Sequence, residues 1–409
     1  MAPGISYVGR TTFRRRFRPF GWRQADRLSH AYIIGKTGVG KSTLLETLAY
    51  QDAVAGRGFA LVDPHGDLVE RLYASLPEEA RERVTYLDAP DPMQPFGYNP
   101  LRRVRSDKIP LAVSGLLETL SKLWPDAWGM RMEHVLRNCL YALLEQDGSQ
   151  LTDILELLQD DKFRKRLVPG IRNDVVRTFW KVEYENYPPR MRAEAIMPIQ
   201  NKLGALLSDP MLYRLLVEPP VDLRFRVLMD EGHILLVNLS KGQIGEDSAH
   251  ILGGLIVSTL GLAAFSRADT PADRPPFMVY LDEFQNFTTL SLINMMSELR
   301  KYGVGLVLAH QHLHQLKPDI RHAVLGNAGT LISFRVGPED ALVLAQEFQP
   351  HFGVEDLLNL PNRLIYLKLM IDGAPSPPFS AMMMASSELA GIANEPPADP
   401  PPQPWQGYI

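Results

Sequence analysis

One cysteine, Cys139, stands alone among 409 residues, so the chain cannot close an intrachain disulfide. No uncharged stretch reaches the roughly 20 residues that a membrane-spanning helix needs. The longest, Ile251 to Ser266, reads as a buried helix with breaks at its glycines. The N-terminal arginines are not followed by the apolar run of a secretory signal, so the expectation is a cytoplasmic protein with no membrane anchor of its own, reaching the inner membrane only through partners. Net charge is slight, −4 at neutral pH, which excludes a uniformly basic nucleic-acid coat. No internal repeat is visible, which excludes a solenoid.

What is present is ordinary in bulk and uneven in detail. An apolar share of 45% suits a substantial core, and the length allows two globular parts. Arg10, Arg14, Arg15, Arg16, Arg18, Arg23 and Arg27 come before the first apolar strand, with Asp26 the only acid among them, and Phe13, Phe17, Phe20 and Trp22 are interleaved. Residues 1–27 therefore read as a basic arm, either solvated and tacked down by its aromatics or laid along a phosphate backbone. At the other end, Pro396, Pro397, Pro400, Pro401, Pro402 and Pro404 make 393–409 a proline-rich tail expected to be disordered.

The organising stretch is Gly35-Lys36-Thr37-Gly38-Val39-Gly40-Lys41-Ser42-Thr43, after the apolar Ala31-Tyr32-Ile33-Ile34 and before the helical Leu44-Leu45-Glu46-Thr47-Leu48. The spacing G-x-x-x-x-G-K-S sets small residues where backbone N–H groups must curl round a polyphosphate. Lys41 then reaches the β- and γ-phosphates and Ser42 offers its hydroxyl to Mg²⁺, so ATP and Mg²⁺ are the expected ligands. The helix that follows adds its partial positive charge.

Short apolar runs at 58–63, 83–88, 234–238, 277–283, 304–309, 330–335 and 364–369 read as buried strands, and helices are expected from 251 and over about 290–301. Between them, 104–219 turns to apolar stripes at three- and four-residue spacing, cut by prolines into several helices. The predicted fold is α/β, with the nucleotide-binding domain built from 28–103 and 220–392 and an all-α domain, 104–219, inserted into it.

Ligands gather at the carboxyl ends of strands in open α/β sheets, so Asp63 and His65 are expected near the nucleotide. Asp282-Glu283 closes another strand. Asp282 is expected to share the Mg²⁺ shell with Ser42, and Glu283 to polarise the attacking water. Gln311 ends the next strand, placed to sense the γ-phosphate or to position that water. His310, His312 and His314 alternate without a cysteine or carboxylate at ligand spacing, so no metal is expected there. Arg300, at a helix end, either complements the helix dipole or reaches a neighbouring subunit's γ-phosphate as an arginine finger.

The order of the phosphate loop, Leu61-Val62-Asp63-Pro64-His65-Gly66-Asp67, Tyr98-Asn99-Pro100-Leu101, a helical insertion, Val237-Asn238-Leu239-Ser240-Lys241-Gly242, Leu281-Asp282-Glu283-Phe284-Gln285-Asn286-Phe287 and Ala309-His310-Gln311 resembles the type IV secretion coupling ATPases, members of the HerA/FtsK group of RecA-like motors. The resemblance spans about Phe20 to Ser380. It implies a RecA-like P-loop domain, a homo-oligomeric ring (a hexamer), ATP at subunit interfaces, DNA in a central channel, and a relaxase, nuclease or secretion-channel partner. Carried over by position, Lys41 and Ser42 bind nucleotide and metal, Asp282 and Glu283 are the acidic pair, Gln311 is the motif glutamine and Arg300 the trans-acting finger. Many members carry an N-terminal membrane anchor and this sequence shows none, which leaves a soluble HerA-like DNA-processing motor as an alternative. A polypeptide-moving ATPase of the same motor type is another. A non-hydrolysing scaffold is disfavoured by the intact Glu283.

Overall fold

The structure is a computed structural model that describes residues 4–12, 17–124, 126–269, 274–287 and 296–389. Eleven strands form one sheet: β1 (Ile5–Thr11), β2 (Pro19–Arg23), β3 (Ala31–Ile34), β4 (Phe59–Asp63), β5 (Val84–Asp88), β6 (Ile234–Asn238), β7 (Phe277–Leu281), β8 (Val304–His310), β9 (Thr330–Ser333), β10 (Leu364–Lys368) and β11 (Phe379–Met383). Their order across the sheet is β2-β1-β11-β10-β9-β3-β8-β7-β4-β6-β5. From β9 to β5 every neighbour is parallel; from β9 to β2 every neighbour is antiparallel.

The parallel strands are continuous apolar runs because both faces are covered. In β3 the alternation is plain: Ala31 and Ile33 join one core with Leu44, Leu45 and Leu48 of helix α1 (Lys41–Val54), while Tyr32 and Ile34 join a second core on the opposite face. That second core runs without a break into the helices between β5 and β6, including α3 (Ile109–Leu123), α4 (Met130–Leu144) and α5 (Pro189–Leu207). Helix α2 (Asp67–Ser75) lies on the first face.

The bridge to those helices is α6 (Glu246–Ser266), longer than the stretch read from sequence. Its glycines do not break it. They allow close approach: a Cβ on Gly253 would lie 2.4 Å from the Phe287 ring, and one on Gly254 would lie 3.0 Å from Thr119 Cγ2. By length and composition α6 could cross a membrane, yet most of it is buried inside the protein.

The N-terminal segment corrects an expectation. Residues 5–12 and 17–27 are part of the fold: β1 and β2 complete one edge of the sheet, and a single helical turn follows at Gln24–Arg27. Tyr7, Val8 and Trp22 are buried, and Trp22 Nε1 donates to Thr330 Oγ1 at 3.0 Å. Arg27 is buried in a bidentate pair with Asp52 of α1, 2.6 and 2.8 Å, and both side chains bond the Tyr280 hydroxyl of β7. Aromatic anchoring and one buried cation outweigh the local charge. Phe13 and Arg14 to Arg16 lie outside the described residues, as do the tail 393–409 and the first half, 290–295, of the helix read at 290–301. The part described ends with Arg300–Tyr302 as a tight 3₁₀ turn.

Candidate nucleotide site

The loop after β3 turns back on itself before α1. Gly40 holds φ 121°, closed to side chains with a Cβ, at the first turn of the helix. Gly35 is needed for a different reason, since a Cβ there would fall 2.5 Å from Phe334 Cβ. Val39 plugs the loop into the core. Lys41 folds over the loop: its Nζ donates to Gly35 O at 2.6 Å and Lys36 O at 3.1 Å. Only 6% of Lys41 is exposed, and burial lowers its ammonium pKa while Glu283 and Asp282 pull it back up. A buried cation beside an exposed loop at Thr37 and Gly38 is the donor set a phosphate group fits.

The sheet order sets the remainder. β8 lies between β3 and β7, with His310 opposite Ile34 and Leu308 opposite Leu281. Gln311 therefore emerges between the loop and the acid pair. Its Oε1 accepts from Thr37 Oγ1 at 2.8 Å and its Nε2 donates to Glu283 Oε1 at 2.6 Å. On the other side, Ser42 Oγ donates to Asp282 Oδ2 at 2.9 Å.

Negative charge is concentrated there. Burial pushes the Asp282 carboxyl up to about 6, and Asp63 and Glu283 add like-charge repulsion. A hydroxyl and carboxylates converging on one point are hard oxygen ligands, a set that fits Mg²⁺. Glu283 is 6% exposed and its backbone sits in the left-handed region, φ 45° and ψ 50°. That turn separates it from Asp282 and directs its carboxylate to Gln311.

Lys41, Ser42, Asp282, Glu283 and Gln311 thus meet. Asp63 joins them at the edge, with its carboxylate also capping α2 through the N–H groups of Leu68 and Val69. His65 has an exposed side chain and bonds Asp63 only through its backbone N–H. Arg300 is not brought to the cradle. It is exposed near His30, whose basicity it lowers, and His30 precedes β3 whereas the cradle follows it. Arg300 therefore lies toward the opposite, amino-terminal end of the central strands.

Sequence reasoning missed two supports. Gln285 Nε2 donates to Glu283 Oε2 at 2.8 Å, a partner that the two-residue spacing across a tight turn could have suggested. Asp340, in α8 (Pro338–Phe348), accepts from Leu313 N at 3.0 Å and meets His312 Nδ1 at 3.3 Å, steadying the segment after Gln311. Nothing local in the sequence announces that pair.

Comparison with known proteins agrees with this geometry. The family described as "Helicase HerA, central domain" matches residues 25–258, and "TraM recognition site of TraD and TraG" matches 276–346. No curated protein sequence matches. Among solved structures, the plasmid coupling protein TrwB with the GTP analogue GDPNP is 16% identical over 89% of this chain and 87% of its own, TM-score 0.66. TrwB with ADP and Mg²⁺ is 16% identical over 92% and 89%, TM-score 0.61. VirB4 of Thermoanaerobacter pseudethanolicus is 14% identical over 94% and 97%, TM-score 0.63. The fold is theirs, and the chain belongs to the HerA helicase central-domain family as a P-loop ATPase of the RecA-like type.

Proposed function

We propose that this protein is an ATP-driven DNA translocase of the conjugative type IV secretion kind, cleaving ATP at the subunit interfaces of a homohexameric ring and moving DNA through its channel. The observation that carries the ATPase reading is the Gln311 amide, which joins the phosphate loop at Thr37 to the carboxylate of Glu283.

In this reading Gly35, Lys36, Thr37, Gly38, Val39, Gly40 and Thr43 form the cradle, and Lys41 gives its ammonium to the β- and γ-phosphates. Ser42 and Asp282 hold Mg²⁺, which when bound neutralises phosphate charge. Glu283 orients a water for in-line attack on the γ-phosphorus and accepts its proton. Gln311, bonded to both sides, couples the loop to that base. Arg300, exposed at the end of the strands away from its own cradle, suits a neighbour's site, where it would stabilise charge on the transferring phosphoryl group.

The DNA track and the link to a relaxase, nuclease or secretion channel rest on the family and on the match to the TraD and TraG segment. Turnover measured with and without single- or double-stranded DNA tests this reading. Stimulation by DNA in a ring-forming preparation is the expected result. An oligomer indifferent to both and stimulated by a protein partner would assign it to polypeptide transport.

A further inference from the structure

A cavity of about 260 Å³ opens beside the acid-pair turn, between α3, α6, the 285–287 turn and the entry to α7 (Pro318–Asn327). Its charged lining is cationic or neutral. Lys122 comes from α3, Lys317 precedes α7 and His250 comes from α6, and no carboxylate is among the described residues that line it. Neither lysine ammonium has a hydrogen bond or a close ion pair among the described residues. Glu118, one turn back on α3, attracts Lys122 from a distance, and Glu246 lies 4.0 Å from His250 Nε2. Burial pushes the Lys122 ammonium down to about 8, and repulsion from Lys317 acts in the same direction. Lys122, half-buried, and Lys317, exposed, flank the space and repel each other, and an anion between them would relieve that repulsion.

The neutral lining narrows the anion. Gln285 Nε2 is committed to Glu283, which leaves Gln285 Oε1 as an acceptor, and that oxygen is buried with no donor among the described residues. His250 Nε2 is likewise buried without a hydrogen-bond partner among them. A ligand that fits must therefore bring negative charge and a proton donor. Hydrogen phosphate carries both on one phosphorus. An internal phosphodiester has no P–OH, a monoester has lost its second proton at neutral pH, and sulfate has none either.

We propose that the cavity binds inorganic hydrogen phosphate between Lys122 and Lys317, with Gln285 Oε1 accepting its P–OH hydrogen bond and relaying occupancy to Glu283. The relay follows from planarity: Oε1 and Nε2 belong to one amide, so fixing Oε1 on a ligand fixes the donor that holds the Glu283 carboxylate. This part rests on Glu283 acting as the base. The binding part does not.

The test uses the whole chain carrying Lys41→Ala, which silences the nucleotide cradle. Protection of Lys122 from amine acylation at pH 7.5 is followed by peptide mass spectrometry against inorganic phosphate, adenosine monophosphate, sulfate and a single-stranded oligonucleotide. Phosphate should protect Lys122 at concentrations about tenfold below sulfate, the value of one added hydrogen bond. Adenosine monophosphate, mostly a dianion without P–OH at pH 7.5, should protect no better than sulfate, and protection by it equal to that by phosphate would overturn the assignment. Lys317→Gln, at an exposed position, should weaken protection, and Gln285→Leu should abolish the preference over sulfate. Unchanged acylation in phosphate, equal protection by sulfate, or strongest protection by the oligonucleotide would overturn the assignment. Since this readout involves no turnover, a failed motor reading leaves it intact. The relay is checked separately in the otherwise unmodified protein: phosphate should alter the ATPase rate, and Gln285→Leu should remove that response.

Discussion

The Gln311 amide donates to Glu283 Oε1 at 2.6 Å, shorter than an ordinary amide-to-carboxylate contact, while its oxygen is held by Thr37. Base and cradle therefore share one side chain. Glu283→Gln keeps the shape and removes the base, so turnover should fall by roughly 10²–10⁴ with ATP still bound. Gln311→Ala should lower the rate about 10-fold or more with a smaller change in KM. Single-turnover assays with filter retention of nucleotide separate the two effects; equal losses of binding and rate would contradict the roles.

Glu283 occupies the left-handed backbone region at φ 45°. For a residue with a long side chain this conformation costs about 1–2 kcal/mol, less for asparagine. Glu283→Asn should therefore raise the denaturation midpoint, by about 0.5–1 kcal/mol of stability, while ending turnover. A less stable Asn variant would show that the turn is not strained.

Asp282, Asp63 and Glu283 crowd one another, and the Asp282 carboxyl is held up at about 6. Mg²⁺ that binds only the folded state adds stability with concentration, about 2.7 kcal/mol at a hundredfold excess over Kd. Thermal scans should show this rise in the native chain and its loss in Asp282→Asn. The Asn variant without metal should be at least as stable as the native protein, because one repelling charge is gone.

Arg27 and Asp52 form a buried pair also bonded by Arg57, whose Nε lies 2.7 Å from Asp52 Oδ1. Asp52→Ala strands the buried Arg27 guanidinium and should cost about 3–5 kcal/mol. Arg27→Met combined with Asp52→Leu should recover most of that loss, since the penalty comes from the unpaired charge. Denaturant titrations of the three variants decide it.

His30 is held neutral. Its Nδ1 accepts from Leu306 N at 3.0 Å, its Nε2 faces Met296 O at 2.7 Å, and burial lowers its pKa from 6.5 to about 4. Above about pH 6.5 neither state is protonated here. Below it the unfolded chain takes up the proton first, so stability falls as pH drops from 6.5 through 4, by up to about 3 kcal/mol. His310, lowered to about 3 by burial, acts in the same sense. His30→Asn tolerates the φ of 63° and cannot titrate, and should flatten part of the slope in pH-dependent unfolding.

The elements legible in the sequence are those whose signal is local. The phosphate loop sits between an apolar run and a helix, and Asp282-Glu283 and Gln311 end apolar runs, so each could be placed from its neighbours. β1, β2 and β11 could not. The apolar residues of β1 and β2 are interrupted by Gly9, Arg10, Pro19 and Gly21, β11 is a short Phe379–Met383 segment, and their stability comes from pairings such as Gly9 with Met383 that no short window contains. The Arg27–Asp52 pair was hidden for the same reason: a run of arginines looks solvated until a carboxylate from a distant helix is brought beneath it. At the site, Gln311 was found because it follows a strand, whereas its link to Thr37 depends on β8 lying between β3 and β7.

That pairing of β1 with β11 has a consequence for how the protein is made. In synthesis the seam of the sheet stays open until residues near Met383 have emerged, leaving the β11-facing edge of β1 uncovered for most of the chain and that of β10 only briefly. The nascent chain presents one unprotected strand edge for that long interval, a natural target for chaperones, and nucleotide-binding competence should arrive late and abruptly.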